Sequence, residues 1–325
     1  MCPMPAEEVT MNDDVRVLYL AGSGRTGSTI VANILGQVDG YFAVGELWNI
    51  WRRGIMEARR CGCGEPVVSC PVWSSILESA FGRRLERHEA EQLDALTHLY
   101  LRTRWVRALR DARRNPSPEG DAYRGALAAL YGAIRDVTGC RVIVDSSKSP
   151  VYGALLATLP GVELHAVHLL RDPRATAFSS TRVRTLPDFG DARLMRRERP
   201  YVAARRWTKN HTLCGLLLPA HAASFTRVRY EDFMARPGDE IARLVATTGV
   251  HAALPFTDER TVRLAATHSV SGNPGRFTVG DVSLRPDDEW RTAMRLSDRA
   301  TVTALTWPLL LRHRYPLPGG RPHTV

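Results

Sequence analysis

The residues with the clearest chemical potential form a short glycine loop, Gly22-Ser23-Gly24-Arg25-Thr26-Gly27-Ser28-Thr29. Glycines let the backbone curl so that several N–H groups point inward, and a following helix adds its positive N-terminal end. The Gly22-x4-Gly27 spacing is that of a nucleotide phosphate loop, yet Ser28 stands where nucleoside-triphosphate enzymes carry the lysine that reaches the β and γ phosphates. The only cation in the loop is Arg25, whose planar fork of donors suits phosphate or sulfate oxygens. This loop is predicted to hold an anion shorter than a triphosphate. The bland alternative is a tight turn without a ligand, and a strand before the loop with a helix after it argues against that.

Three further groups extend the pattern. Arg171-Asp-Pro-Arg-Ala-Thr-Ala-Phe-Ser179 places an arginine at the end of an apolar run and a hydroxyl about two helical turns later. Alone, the pair reads equally well as an ion pair and a helix cap. Together with the loop, it describes a ligand carrying phosphates at both ends. Glu46, in Val44-Gly-Glu-Leu-Trp48, follows the first helix and is a candidate proton acceptor, or else an acid stabilised at a helix N-terminus. Lys148, in Val144-Asp-Ser-Ser-Lys-Ser-Pro150, is one of only two lysines, the other being Lys209. In a chain whose remaining 42 basic residues are arginines, its compact ammonium stands out against the plain reading of a surface lysine.

These elements resemble, in order along the chain, the motifs of sulfotransferases that use 3′-phosphoadenosine-5′-phosphosulfate (PAPS). The glycine loop is similar to their 5′-phosphosulfate loop, and Arg171 with Ser179 to their 3′-phosphate motif. Arg229-Tyr230-Glu-Asp232 resembles the strand-end signature whose tyrosine lies near adenine, and Gly272-Asn-Pro-Gly-Arg276 the loop that closes on the nucleotide. The resemblance spans about residues 15 to 295. It implies PAPS as co-substrate, held by Ser23, Gly24, Arg25, Thr26, Gly27, Ser28, Thr29, Arg171, Ser179, Tyr230 and Arg276. It implies catalysis by Glu46, Arg25 and Lys148 without a metal. In the carbohydrate and tyrosyl-protein branches a glutamate at the position of Glu46 is the base. The small-molecule cytosolic branch instead uses a histidine elsewhere, and a loop lysine where this chain has Arg25. The implied reaction is in-line transfer of a sulfuryl group to a hydroxyl of a sugar, small molecule or other acceptor.

The elements that must position these groups are legible as well. Val15–Ala21 is a short apolar run rich in β-formers, and Ser28–Gln37 places Ile30, Val31, Ile34 and Leu35 on one helical face. Further strands are expected over 141–145, 163–170 and 224–230, each followed by a helix, one of them starting at Pro173. Alternation of this kind predicts an α/β fold, a P-loop-like parallel sheet flanked by helices. The division expected is a flexible N-terminus (1–14), a single domain (15–310) with a helical, cysteine-rich insertion at about 54–138, and a tail (311–325). The arginine-dense stretch 182–206 reads as a loop followed by a helix.

Composition sets the outer bounds. The chain has 325 residues, 44% hydrophobic and 24% charged, which is the profile of a globular protein with a substantial core. No apolar run is long enough to span a bilayer and no signal peptide is evident, so a cytoplasmic location is expected. A net charge of +10 suits a polyanionic ligand, and it would equally suit nucleic acid. The chemistry lies in ordered strand–loop elements, so no nucleic-acid partner is expected. The main rival is a P-loop kinase or nucleotide hydrolase, for which Val-Ile-Val-Asp145 mimics a magnesium-binding strand. Three of the six cysteines cluster as Cys61-Gly-Cys63 and Cys70. No fourth ligand is near in sequence, so a structured cysteine-rich loop is favoured over zinc. Tyr41, Trp48 and Trp51 are candidates for an acceptor pocket, with plain packing as the alternative. His165 and His168 read as sheet residues, and His211 and His268 as fallback bases.

Overall fold

The computed structural model describes residues 14–102, 118–189 and 193–317. Its centre is a five-stranded parallel sheet in the order β2-β3-β1-β4-β5, with β1 at Val15–Gly22, β2 at Tyr41–Gly45, β3 at Val142–Lys148, β4 at Val162–Leu170 and β5 at Ser224–Arg229. The central strand β1 pairs with β3 through Val17 and Ile143, and with β4 through Leu18 and His165. Helices cover both faces, so from Val17 onward β1 is a continuous buried run, and its one charged residue, Arg16, lies near the strand's start and pairs with Glu163 at 3.2 Å. Val17 and Tyr19 face a layer that includes Leu130 and Ile134 of helix Pro118–Thr138 and Leu155 of helix Pro150–Leu156. Leu18 and Leu20 face the opposite layer, where Val31 and Ile34 of α1 (Ser28–Leu35) meet Ile241 and Leu244 of helix Pro237–Ala246. The insertion joins the first of these layers: Trp73, Ile76 and Tyr123 lie in the same buried cluster as Val17.

Several sequence expectations need revision. The strand β2 was not anticipated, and a small antiparallel pair, β6 (Thr261–Leu264) and β7 (Gly280–Ser283), lies outside the main sheet. Glu46 therefore follows a strand and not α1. The tail does not begin at 311, because helix Leu296–Arg312 runs past that point and Tyr315 is buried, donating a 2.9 Å hydrogen bond to Glu231. The N-terminus expected to be flexible lies outside the described residues apart from Asp14, as do the last eight residues of the tail and residues 103–117 of the insertion. Among the described residues, no helix is long and apolar enough to cross a membrane.

Candidate active site

Each strand of a parallel sheet ends on the same edge, and ligands in such folds bind outside those carboxyl ends where the strand order reverses. The same edge here carries a cleft of about 430 Å³ to which all five strands contribute. The loop after β1 lines it with Gly24, Arg25 and Gly27 to Thr29, the end of β2 with Glu46, and the end of β3 with Lys148. The end of β4 adds Arg171 and the end of β5 adds Tyr230, with Ser179 of helix Pro173–Thr181 beside them. Gly272, Asn273 and Gly275 form part of the facing wall.

The glycine loop depends on Gly27. Its φ is +88°, and a Cβ there would lie 2.7 Å from the Tyr230 ring. Only glycine permits both the turn and this approach of loop to tyrosine. Arg25 has φ +70° and Lys148 φ +67°, so the loop arginine and the strand-end lysine both occupy the left-handed region that ordinary residues avoid. Such strain is typically found where surrounding structure holds a functional group in place.

Glu46 and Lys148 form an ion pair at 2.5 Å. Asn49 donates to the same carboxylate at 3.1 Å, and Arg53 stands 3.7 Å from it on a π-helical turn, Ile50–Met56. Burial alone would raise the Glu46 pKa, but Lys148 and then Arg53 outweigh it and hold the carboxyl below its ordinary range. At the other end of the cleft, the Arg171 guanidinium lies 4.4 Å over the Tyr230 ring and donates to the Arg25 carbonyl at 3.1 Å and to the Asp287 carbonyl at 3.0 Å. It also pairs with the Asp287 carboxylate at 3.1 Å, which in turn pairs with Arg182 at 2.8 Å. Between these two ends, the pKa of Arg25 is lowered to about 10 by burial first and then by the charges of Arg184, Arg182, Arg171 and Arg206. A crowd of cations this dense favours an anion among them.

Some expected residues sit elsewhere. Arg276 is 2% exposed and faces inward, donating to the carbonyls of Ser269 and Arg60 and pairing with Asp188 at 3.1 Å. It braces the closing loop and does not line the cleft. Within the loop itself the side chains of Ser23 and Thr26 are buried, with the Thr26 hydroxyl donating to the Ser23 carbonyl at 2.9 Å, so any contact these two residues make with a ligand would come from their backbone. Tyr41 bonds Thr248 in the core and Trp51 is fully buried, so neither forms an acceptor pocket. Trp48 packs near His98 and does not line the cleft. His211 is buried against His168, with 2.7 Å between ring nitrogens, and does not reach the cleft. Asp145 is fully buried and accepts from Tyr131 and from the Ser147 amide, so it does not face the cleft as a magnesium ligand would. Arg53, Arg184, Met195 and Asp287 also line the cleft without having been singled out from the sequence. The density of arginine between 182 and 206 pointed towards Arg184, but no local pattern marked the others.

Residues 18–253 match the model of the sulfotransferase family, and the chain belongs to that family. No curated protein matches it in sequence at a significant level. Among solved structures, it is similar to the sulfotransferase domain of the Synechococcus PCC 7002 olefin synthase, with 18% identity, 97% of this chain and 100% of that chain covered, and a TM-score of 0.48. It is also similar to the sulfotransferase domain from the curacin biosynthetic pathway, with 17% identity, 94% and 99% coverage, and a TM-score of 0.50. At this identity, the likeness to the curacin-pathway domain is one of fold.

Proposed function

We propose that the protein transfers a sulfuryl group from PAPS to an acceptor hydroxyl, with Glu46 as general base. The observation that carries this reading is the pairing of functions along one cleft. A carboxylate–ammonium pair lies at one end, a guanidinium over a tyrosine ring at the other, and a glycine loop with a crowded arginine lies between. In this reading, Arg171, Ser179 and Tyr230 hold the 3′-phosphate and adenine of the donor, and the loop from Gly24 to Thr29 holds its phosphosulfate.

In the transfer itself, the acceptor oxygen attacks sulfur as its proton passes to Glu46. The bond from sulfur to the 5′-phosphate oxygen breaks, and 3′-phosphoadenosine 5′-phosphate leaves with the added negative charge. Arg25 and Lys148 stabilise that charge, an effect that counts most as it develops. The Glu46–Lys148 pair gives the step a useful coupling. A carboxylate held down by an ammonium is a weak base, and movement of Lys148 towards the leaving oxygen would restore its basicity when the proton must move.

Nothing in the site favours the kinase reading, since the loop lacks a lysine and Asp145 is engaged internally. The test is to incubate the protein with PAPS and a metabolite extract and to seek products heavier by one sulfuryl group. Calorimetry completes it. Binding of 3′-phosphoadenosine 5′-phosphate no tighter than ATP would remove the main support for this donor.

A further inference from the structure

The cysteine-rich loop is brought together with a residue far away in sequence. Cys61, Cys63, Cys70 and His268 each offer a ligand atom, and these four atoms lie within 4.8 Å of one another. We propose that they bind one zinc ion as a closed structural site, distinct from the cleft and independent of the reaction assigned above.

The local geometry is that of a metal-binding turn. The Cys61 amide donates to the Glu65 carbonyl at 2.7 Å and the Gly64 amide to the Cys61 carbonyl at 2.9 Å, closing the Cys61–Glu65 loop. Cys70 returns from the other side, immediately before helix Pro71–Phe81. His268 arrives on an extended segment, where the Trp73 indole donates to its carbonyl at 2.6 Å and Phe42 stacks on its ring. Gly62 lets the two segments meet: a Cβ there would fall 2.4 Å from the Thr267 carbonyl oxygen, and its amide donates to Ser269 at 2.9 Å.

Three of the six spacings are close to the edges of a tetrahedron, and the other three lie within 4.8 Å. Zinc–sulfur bonds of about 2.3 Å and zinc–nitrogen bonds of about 2.0 Å imply edges of roughly 3.8 Å between sulfurs and roughly 3.5 Å from sulfur to nitrogen. The Cys63 and Cys70 sulfurs are 3.7 Å apart, Cys61 lies 3.8 Å from the His268 Nδ1, and Cys70 lies 3.3 Å from it. A disulfide between Cys63 and Cys70 would require a sulfur separation of about 2.05 Å, and it would leave Cys61 and His268 without a role. Three thiolates and an imidazole in a tetrahedral set favour zinc over harder divalent ions. On binding, the three thiol protons pass to solvent. Cys61 and Cys70 are buried whereas Cys63 and His268 are partly exposed, which leaves a route for the metal.

The site would join the insertion to the wall of the cleft. Two residues after His268, the Val270 amide donates to the Val44 carbonyl at 2.9 Å, and the Glu46 amide donates to Ser271 at 3.1 Å. The segment then continues into Gly272 and Asn273 in the cleft. Zinc would thus fix the shelf on which Glu46 sits, without touching substrate.

Metal analysis of the full-length, untagged protein, purified under reducing conditions with zinc supplied, should find about one zinc per chain. Cobalt substitution should give the visible absorption of a tetrahedral, thiolate-bound ion. C63S and H268A should each lower zinc content at least fivefold. Should those variants fail to fold, wild-type protein still decides the matter: cysteines 61, 63 and 70 should resist a thiol reagent until a chelator removes the metal. Absence of stoichiometric metal, an octahedral cobalt spectrum, iron in place of zinc, or a Cys63–Cys70 disulfide in metal-free protein would each overturn the proposal.

Discussion

Replacing Arg171 by alanine tests the donor assignment through a difference between two ligands. A guanidinium has five N–H donors. Arg171 directs one to the Arg25 carbonyl and at most two to Asp287, so at least two remain for a ligand, including an Nε that is buried with no partner. One charge-assisted hydrogen bond is worth about 1.5–3 kcal/mol. R171A should therefore weaken 3′-phosphoadenosine 5′-phosphate by about 10- to 150-fold. Adenosine 5′-phosphate, which lacks the 3′-phosphate, should bind both proteins alike. The fold should survive, because Asp287 keeps its bidentate contact with Arg182 at 2.8 and 2.9 Å. Calorimetry with both ligands, alongside a melting curve, gives the answer. An equal loss for the two ligands, or no loss for either, would refute placing the 3′-phosphate at Arg171.

Other outcomes follow from the same geometry. E46Q should retain nucleotide binding and lose about 10²–10⁴-fold in turnover on an alcohol acceptor, the usual worth of a positioned base, as steady-state kinetics would reveal. G27A should cost about 1–3 kcal/mol by pressing a methyl group onto Tyr230, readable as a lower urea midpoint together with weaker nucleotide binding. Burial lowers the pKa of His168 to about 3 and of His313 to about 4, while an unfolded histidine titrates near pH 6.5. The unfolded chain thus takes up protons that the folded one refuses. Stability should fall from about pH 6.5 towards pH 4, with His168 alone contributing about 1.4 kcal/mol per pH unit at most. Asp145 opposes this, since burial raises its folded pKa to about 6 and the folded state then gains its proton first. Urea midpoints across pH for wild type and H168F would reveal the histidine share as a shallower slope in the variant.

What the sequence made legible was local. The strand–loop–helix unit from Val15 to Leu35 is written in an apolar run, a glycine turn and a helical stripe, all within about twenty residues. Arg171 at a strand end and Pro173 at a helix start follow from similarly short patterns. The strand Tyr41–Gly45 escaped notice because five residues are too few to show a period, and its aromatic residues also suit a pocket lining. Partners distant in sequence were invisible. Arg276 is turned inward by Asp188, 88 residues away, and Cys70 meets a histidine 198 residues away. Residue type alone marks an arginine in a closing loop as a ligand, and only the fold reveals a carboxylate waiting behind it.

The carboxylate of Asp287 has a consequence of its own. It lies between Arg171 and Arg182, with burial raising its pKa but the two arginines outweighing that and keeping it ionised. It therefore serves as a tethered counter-ion in the very place assigned to a phosphate. A free sulfate or phosphate ion must compete with an anion that is already attached, whereas a nucleotide brings an adenine and a second charged group to the contest. If the phosphate assignment holds, the arrangement would discriminate against abundant small anions without any steric barrier. D287N should accordingly bind inorganic sulfate more tightly than wild type does, and unchanged sulfate affinity would show that the carboxylate offers no such protection.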